Sequence, residues 1–228
     1  MGLPCALSCL FLLTIIHLPI KTGSAIIELK AEQISLPQKI FIIGGNMLMR
    51  NKIIAAVRNY DELICAADSD VKIVFDLNPN ILTLADTVNI LHEAGKKCFV
   101  HIDLAEGIGK DRSGIEYMKK KGVDGIISTR TGTIKIAKDL GLFTVQRFFI
   151  VDSRSVNTTI ESWKTSKAQM IEIMPGNILK VIPTLKEIVE VPIITGGLIE
   201  TEQEAMEAIK CGASAVSTGQ RSLWSNKD

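Results

Sequence analysis

The chain has 228 residues, enough for one large domain or two small ones, and its 46% hydrophobic content with only 5% aromatics suits a core of Val, Ile and Ala. Lys and Arg number 26 against 25 Asp and Glu, a formal net charge of +1, which excludes the broad basic footprint of duplex-coating proteins and confines any nucleic acid to a local patch. None of the five cysteines forms a C-x-x-C pair, and Cys65, Cys98 and Cys211 fall inside expected helices or strands as small apolar groups, which suits a reducing cytoplasm.

Residues 1–46 differ from the rest. Met1 to Ile20 is apolar, with His17, Cys5 and Cys9 as its only ionisable side chains, and could be a signal peptide or a membrane span. Against both, no positively charged n-region precedes it, Pro4 and Pro19 sit near its ends, and Thr22-Gly23-Ser24-Ala25 is a weak cleavage site. A third reading fits better. Every glycine codon begins GG, so Gly44-Gly45 ahead of Met47 and Met49 could be a translated purine-rich ribosome-binding sequence, with one of those methionines the true start. Residues 1–46 are then an extension outside the fold, and 47–228 a single domain with no membrane contact.

From Met49 the chain is periodic. Ile53 to Val57 is an apolar strand with Arg58 at its end, and Asp61 to Ala67 reads as helix. Val71 to Phe75 is the second strand, and Leu82 to Ala94 a helix with Leu84, Val88 and Leu91 at helical spacing, stopped by Gly95. The third strand begins at Cys98 and runs into His101-Ile102-Asp103, and the fourth with its turn spans Asp124 to Arg130. Phe143 to Phe149 and Gln169 to Ile173 are the fifth and sixth. Pro192 to Thr195, closed by Gly196-Gly197, and Ala213 to Ser217, closed by Thr218-Gly219, are the last two, with Ser222 placed to cap a short final helix.

Strand starts recur about every 18 to 27 residues, as parallel strands with crossover helices require. Eight such units predict a compact TIM-like (β/α)8 barrel of parallel strands with a short final helix, ahead of a flavodoxin-like sheet, which needs fewer units. The chain after Met49 is short against the roughly 250 residues typical of the fold, so its loops are minimal. The mouth is then open, or closed by a ligand or by a partner subunit in a homo-oligomer.

Strand C-terminal ends converge on one face of such a barrel, which makes Arg58, Asp76, His101, Asp103, Ser128, Arg130, Gln146, Arg147 and Glu172 the candidates. The turns at Gly196-Gly197 and Thr218-Gly219 follow the seventh and eighth strands, where barrels of this kind hold phosphate on bare backbone N–H groups. As glycines they could equally serve only as tight turns. Arg147 and Arg130 are forks for a phosphate or carboxylate, or are solvated. His101 and Asp103, two apart on an expected strand, share a face and form a general acid–base pair, a hydroxyl-binding pair, or interior residues satisfied by each other.

Several chemistries lack their residues. No lysine ends a strand, so a Schiff-base aldolase is disfavoured. With three histidines and no H-x-H, H-E-x-x-H or G-x-S-x-G pattern, there is no ligand set for metal hydrolysis and no nucleophile elbow. Walker A and Rossmann fingerprints are also missing.

The segments IIAAVR (from Ile53), KKCFVHIDLAEGIGKD, GVDGIISTR, GLFTVQRFFIVDS, IEIMPG, PIITGGLI and AVSTGQRSLW (to Trp224) match in order, and on them the chain resembles the glycerol uptake operon antiterminator regulatory proteins, bacterial transcription regulators with a barrel-like β/α fold. The resemblance implies a protein that senses glycerol 3-phosphate and, when it is bound, binds and stabilises the leader mRNA of a glycerol-utilisation operon. After the last strand, Gly219-Gln220 stands where family members commonly have serine-asparagine. Taken together, the expected phosphate ligands are Gly196, Gly197, Thr218, Gly219 and Arg147, and the expected hydroxyl ligands His101, Asp103 and Glu172. No catalytic residue, cofactor or metal is expected. The basic residues Lys96, Lys110, Arg112 and Lys119 to Lys121 are the candidate RNA surface. The competing expectation is a phosphate-binding barrel enzyme, an isomerase or lyase acting on a small sugar phosphate.

Overall fold

Short apolar runs bounded by glycine and polar turns become eight parallel strands in the computed structural model, which describes residues 52–225. The expectations for residues 1–46 and for a start at Met47 or Met49 lie outside the described residues. In chain order the strands are β1 (Ile53–Val57), β2 (Ile73–Asp76), β3 (Lys97–His101), β4 (Gly125–Ser128), β5 (Phe143–Phe149), β6 (Met170–Met174), β7 (Ile193–Gly196) and β8 (Ala215–Thr218). Seven α-helices alternate with them: α1 (Tyr60–Ala67), α2 (Leu84–Glu93), α3 (Arg112–Lys120), α4 (Thr131–Asp139), α5 (Ser153–Ser166), α6 (Val181–Lys186) and α7 (Glu202–Lys210). Each strand pairs with its successor, and β8 returns to β1 (Ile53 to Val216, Ala55 to Thr218), so the sheet closes into the predicted barrel.

Period-two alternation sorts the side chains. Ile54, Ile73, Phe75, Phe99, Ile127, Val145, Met170, Ile194 and Ala215 form one buried cluster inside the barrel, where the Phe99 ring lies 5.8 Å from Phe75 and 5.4 Å from Phe143. The alternate residues, among them Val57, Val74, Val100 and Ile126, pack outward beneath helix residues such as Leu63, Leu84, Leu91 and Ile115. Two residues further along the strands, the inward positions change character to Ala56, His101, Arg147, Glu172, Gly196 and Ser217. An apolar plug therefore supports a polar ring at the strand C-terminal ends.

Local differences from the sequence expectation have identifiable causes. β2 starts at Ile73, and the Val71 carbonyl instead accepts from Lys96 Nζ at 3.0 Å. β3 ends at His101, where Ile102–Leu104 turns into a 3-10 segment, so His101 and Asp103 do not share a strand face. Ser222 lies within the final 3-10 turn, Arg221–Leu223, rather than capping it. Trp224 behind that turn donates from Nε1 to the Thr218 carbonyl at 2.9 Å and is buried in the cluster between barrel and helices. Among the described residues no helix is long and apolar enough to cross a membrane, and Cys65, Cys98 and Cys211 are free thiols.

Candidate functional site

At the mouth a cavity of about 230 Å³ lies over β1, β5, β6, β7 and β8, and Arg58, Arg147, Glu172, Met174, Gly197, Leu198, Ser217, Thr218, Gly219 and Gln220 are in its wall. Arg147 is 6% exposed and its strand register sets it beside Glu172, which is fully buried. The Glu172 carboxylate takes Arg147 Nε at 2.6 Å on one oxygen and Ser217 Oγ at 2.5 Å on the other. Both carboxylate oxygens are thus engaged within the protein. Only Nε of the guanidinium is bonded among the described residues, which leaves its Nη groups to serve the cavity.

The two glycine turns differ in what they do. Gly197 has φ +74° and is followed by Leu198 at φ +57°, a left-handed pair that holds the β7 turn against the cavity while the Leu198 side chain stands in solvent. A bulky residue at positive φ costs energy and is kept only where its surroundings demand it. Gly219 has an ordinary φ, and the Arg58 guanidinium lies over it: a Cβ there would come within 2.8 Å of Nη1 and push that exposed side chain aside. Gly196 does not line the cavity. A Cβ on it would meet Ser217 Oγ at 2.1 Å and Glu172 Oε1 at 2.7 Å, so its bareness lets the buried Glu172–Ser217 pair approach. The Thr218 hydroxyl donates to the Ile199 carbonyl at 2.7 Å and accepts from Gln220 N at 3.0 Å, which ties the two turns together.

Of the expected phosphate ligands, Gly197, Thr218, Gly219 and Arg147 therefore meet at one cavity and Gly196 stands behind it. Of the expected hydroxyl ligands only Glu172 reaches the cavity wall, with its oxygens already committed. His101 is buried and outside the cavity wall, its Nδ1 without a hydrogen-bond partner among the described residues, and burial together with the nearby Arg147 charge lowers its pKa to about 4, so the ring is neutral. Asp103 sits in the 3-10 turn and accepts from Ser128 Oγ at 2.8 Å, Thr129 N at 2.7 Å and Thr129 Oγ1 at 2.8 Å. Burial pushes its pKa up, but those hydrogen bonds outweigh it and hold the carboxyl below its usual range. The mutual His101–Asp103 pairing is not formed; Asp103 instead splints the β3 and β4 ends.

Sequence reading left Arg58 and Ser217 without a role, although both carry a signal. Arg58 closes an apolar strand, and Ser217 alternates in phase with Ala215 toward the barrel axis. The expected RNA surface does not hold together. Lys96 is buried, with Nζ on the carbonyls of Ser69 at 2.6 Å and Val71 at 3.0 Å, and burial lowers its pKa. Lys119 to Lys121 close α3 at the end of the barrel opposite the mouth, while Lys110 lies just ahead of α3 and Arg112 opens it on the mouth side.

With this geometry established, three comparisons bear on the chain. The family model described as Glycerol-3-phosphate responsive antiterminator matches residues 53–224. The uncharacterized protein YgcP of Escherichia coli is 37% identical over 180 residues, 78% of this chain and 94% of its own. The crystal structure of a glycerol uptake operon antiterminator regulatory protein from Listeria monocytogenes superposes with TM-score 0.72 at 31% identity, over 76% of this chain and 94% of that one. A glycerol uptake operon antiterminator-related protein from Thermotoga maritima gives TM-score 0.69 at 37% identity, over 76% and 97%. From Ile53 to Trp224, through all eight strands, the chain belongs to the glycerol-3-phosphate responsive antiterminator family.

Proposed function

We propose that this protein is a cytoplasmic glycerol 3-phosphate sensor that, with its effector bound, binds and stabilises the leader mRNA of a glycerol-utilisation operon. The observation that carries the reading is the Arg147 guanidinium, keyed by buried Glu172 and facing the same small cavity as the Gly197 and Gly219 turns. A cavity of about 230 Å³ falls below the roughly 300–1,000 Å³ that hold drug-sized ligands, which suits a small phosphorylated polyol. The phosphate sits against Gly197, Thr218 and Gly219 with Arg147 and Arg58 as charge partners. Glu172 positions Arg147, and the hydroxyls fall to Ser217 and Gln220. His101 and Asp103 hold the floor and rim in shape.

No bond-making step is required of these residues. Effector binding draws Arg147, Arg58 and both turns onto one anion, and RNA binds that arrangement more tightly; only such differential affinity makes a switch. Titration calorimetry with glycerol 3-phosphate tests the reading. Wild type takes up the ligand, and Gly197→Val, whose branched side chain is strained at φ +74° and directed at Met174, binds at least about tenfold more weakly. Equal affinity in the two proteins removes the site assignment. Turnover of glycerol 3-phosphate or a triose phosphate replaces the sensor with an enzyme.

A further inference from the structure

A second cavity, about 350 Å³, opens on the mouth side between the ends of β1 and β2, walled by Arg58, Asn59, Tyr60, Asp76, Asn78, Thr83, Thr87 and Glu106 among others. Asp76 faces outward from β2 into it. The residue is only 7% exposed; Oδ1 accepts from Asn78 N at 3.0 Å, while Oδ2, open toward the cavity, has no partner among the described residues. The Asn78 carboxamide and the Thr83 and Thr87 hydroxyls are likewise unengaged among the described residues. Desolvation raises the Asp76 pKa to about 6, a cost that burial imposes and no ion pair among the described residues offsets.

The charges in the wall restrict the occupant. Arg58 repels a free cation, and Asp76 with Glu106 repels a free anion. A ligand that satisfies both carries neutral N–H donors at one end and a phosphate at the other, which describes a nucleotide. Tyr60, 66% exposed, and Leu82, 85% exposed, stand on the rim as a stacking platform, the usual means of holding an unstacked base. Lys110, Arg112 and Arg130 are exposed on the same end of the barrel, and the Asn80–Glu106 bridge joins the cavity wall to the loop that carries Lys110.

We propose that this cavity is a base-binding pocket for single-stranded RNA, taking a guanine whose Watson–Crick N–H groups donate to Asp76 while an adjoining phosphate meets Arg58. Guanine alone of the four bases offers a ring N–H and an exocyclic amine side by side on that edge, the two donors a carboxylate accepts. Arg58 also lines the effector cavity and packs on Gly219, so one guanidinium is shared by the two sites. Effector phosphate fixes Arg58 in place, and the RNA phosphate then meets a preset cation. The inference rests on the sensor reading for this coupling, and on the second cavity alone for the base.

Fluorescence anisotropy with the full chain, saturating glycerol 3-phosphate and labelled pentaribonucleotides UUGUU, UUIUU and UUAUU tests it. Wild type binds UUGUU about tenfold more tightly than UUAUU, with UUIUU, which lacks the exocyclic amine, between them. Asp76→Asn brings the three within about twofold, and Tyr60→Ala weakens all three alike. Absence of binding, equal affinities in wild type, or a guanine preference that survives Asp76→Asn overturns the pocket. The same samples titrated with glycerol 3-phosphate separate the two readings. Unchanged effector affinity in Asp76→Asn shows the fold intact, whereas a guanine preference without any effector heat in wild type sinks the sensor and leaves the pocket standing.

Discussion

Burial of Asp76 makes the stability of the fold depend on pH through a single side chain. Burial pushes its carboxyl up to about 6 from the usual 3.8, because desolvation disfavours the charge and the one backbone N–H from Asn78 does not repay it. Between those values the folded state holds more protons than the unfolded chain, so stability falls as pH rises from about 4 to about 6. The loss is of order 3 kcal/mol for two pKa units. Asp76→Asn removes that slope: thermal unfolding at pH 7.5 moves upward in the variant, while at pH 4 the two proteins melt nearly together. A variant with the wild-type slope would show that Asp76 is not the titrating group. Arg147 and Glu172 were legible in sequence as polar breaks in apolar strands. Their pairing was not, because alternation within one strand reports a face and says nothing of the register that sets position 147 beside 172.

Elements, too, were mostly legible, since the strands are apolar runs, most of them closed by a glycine, a proline or a polar residue. The turn after β7 leads directly into the next helix. An anion seat there suggests the N-terminus of the following helix, yet α7 closes its own first turn: Thr201 Oγ1 accepts from Glu204 N at 3.2 Å, and Glu204 Oε2 accepts from Glu200 N at 2.8 Å and Thr201 N at 3.0 Å. The Thr201-x-x-Glu204 spacing carried that message in the sequence. The proposed phosphate seat therefore rests on the Gly197-Leu198 turn and a guanidinium rather than on a helix end. Thr201→Ala therefore costs about 1 kcal/mol in denaturant unfolding and leaves glycerol 3-phosphate affinity unchanged. A matching loss of affinity would return the helix terminus to the site. The His101–Asp103 misreading is of the same kind: a strand was assumed to continue where Ile102–Leu104 tightens into a 3-10 turn, and the two side chains part.

Across the whole molecule, closure into eight strands was readable because the repeat length admits no other economical packing. Distribution of charge was not, since linear clusters of lysine ignore which end of the barrel each loop occupies. Placing Arg58, Lys110, Arg112 and Arg130 at the mouth and Lys119 to Lys121 at the opposite end makes a testable division. About three or four phosphate contacts on single-stranded RNA give a log–log salt slope near −2 to −3. Replacing Lys119, Lys120 and Lys121 together by alanine leaves that slope in place, and Lys110→Ala with Arg112→Ala lowers its magnitude by about 1 to 1.5. The opposite result would move the RNA to the other end.

The seam between β1 and β8 has a temporal meaning as well. Ile53 and Ala55 find their neighbours in Val216 and Thr218, almost the whole domain later in synthesis. While the nascent chain leaves the ribosome, the outer edge of β1 has unsatisfied backbone groups and nothing to pair with until β8 emerges. Stalled chains lacking β8 should thus be the ones that chaperones hold, and release of the last strand the event that lets go of them.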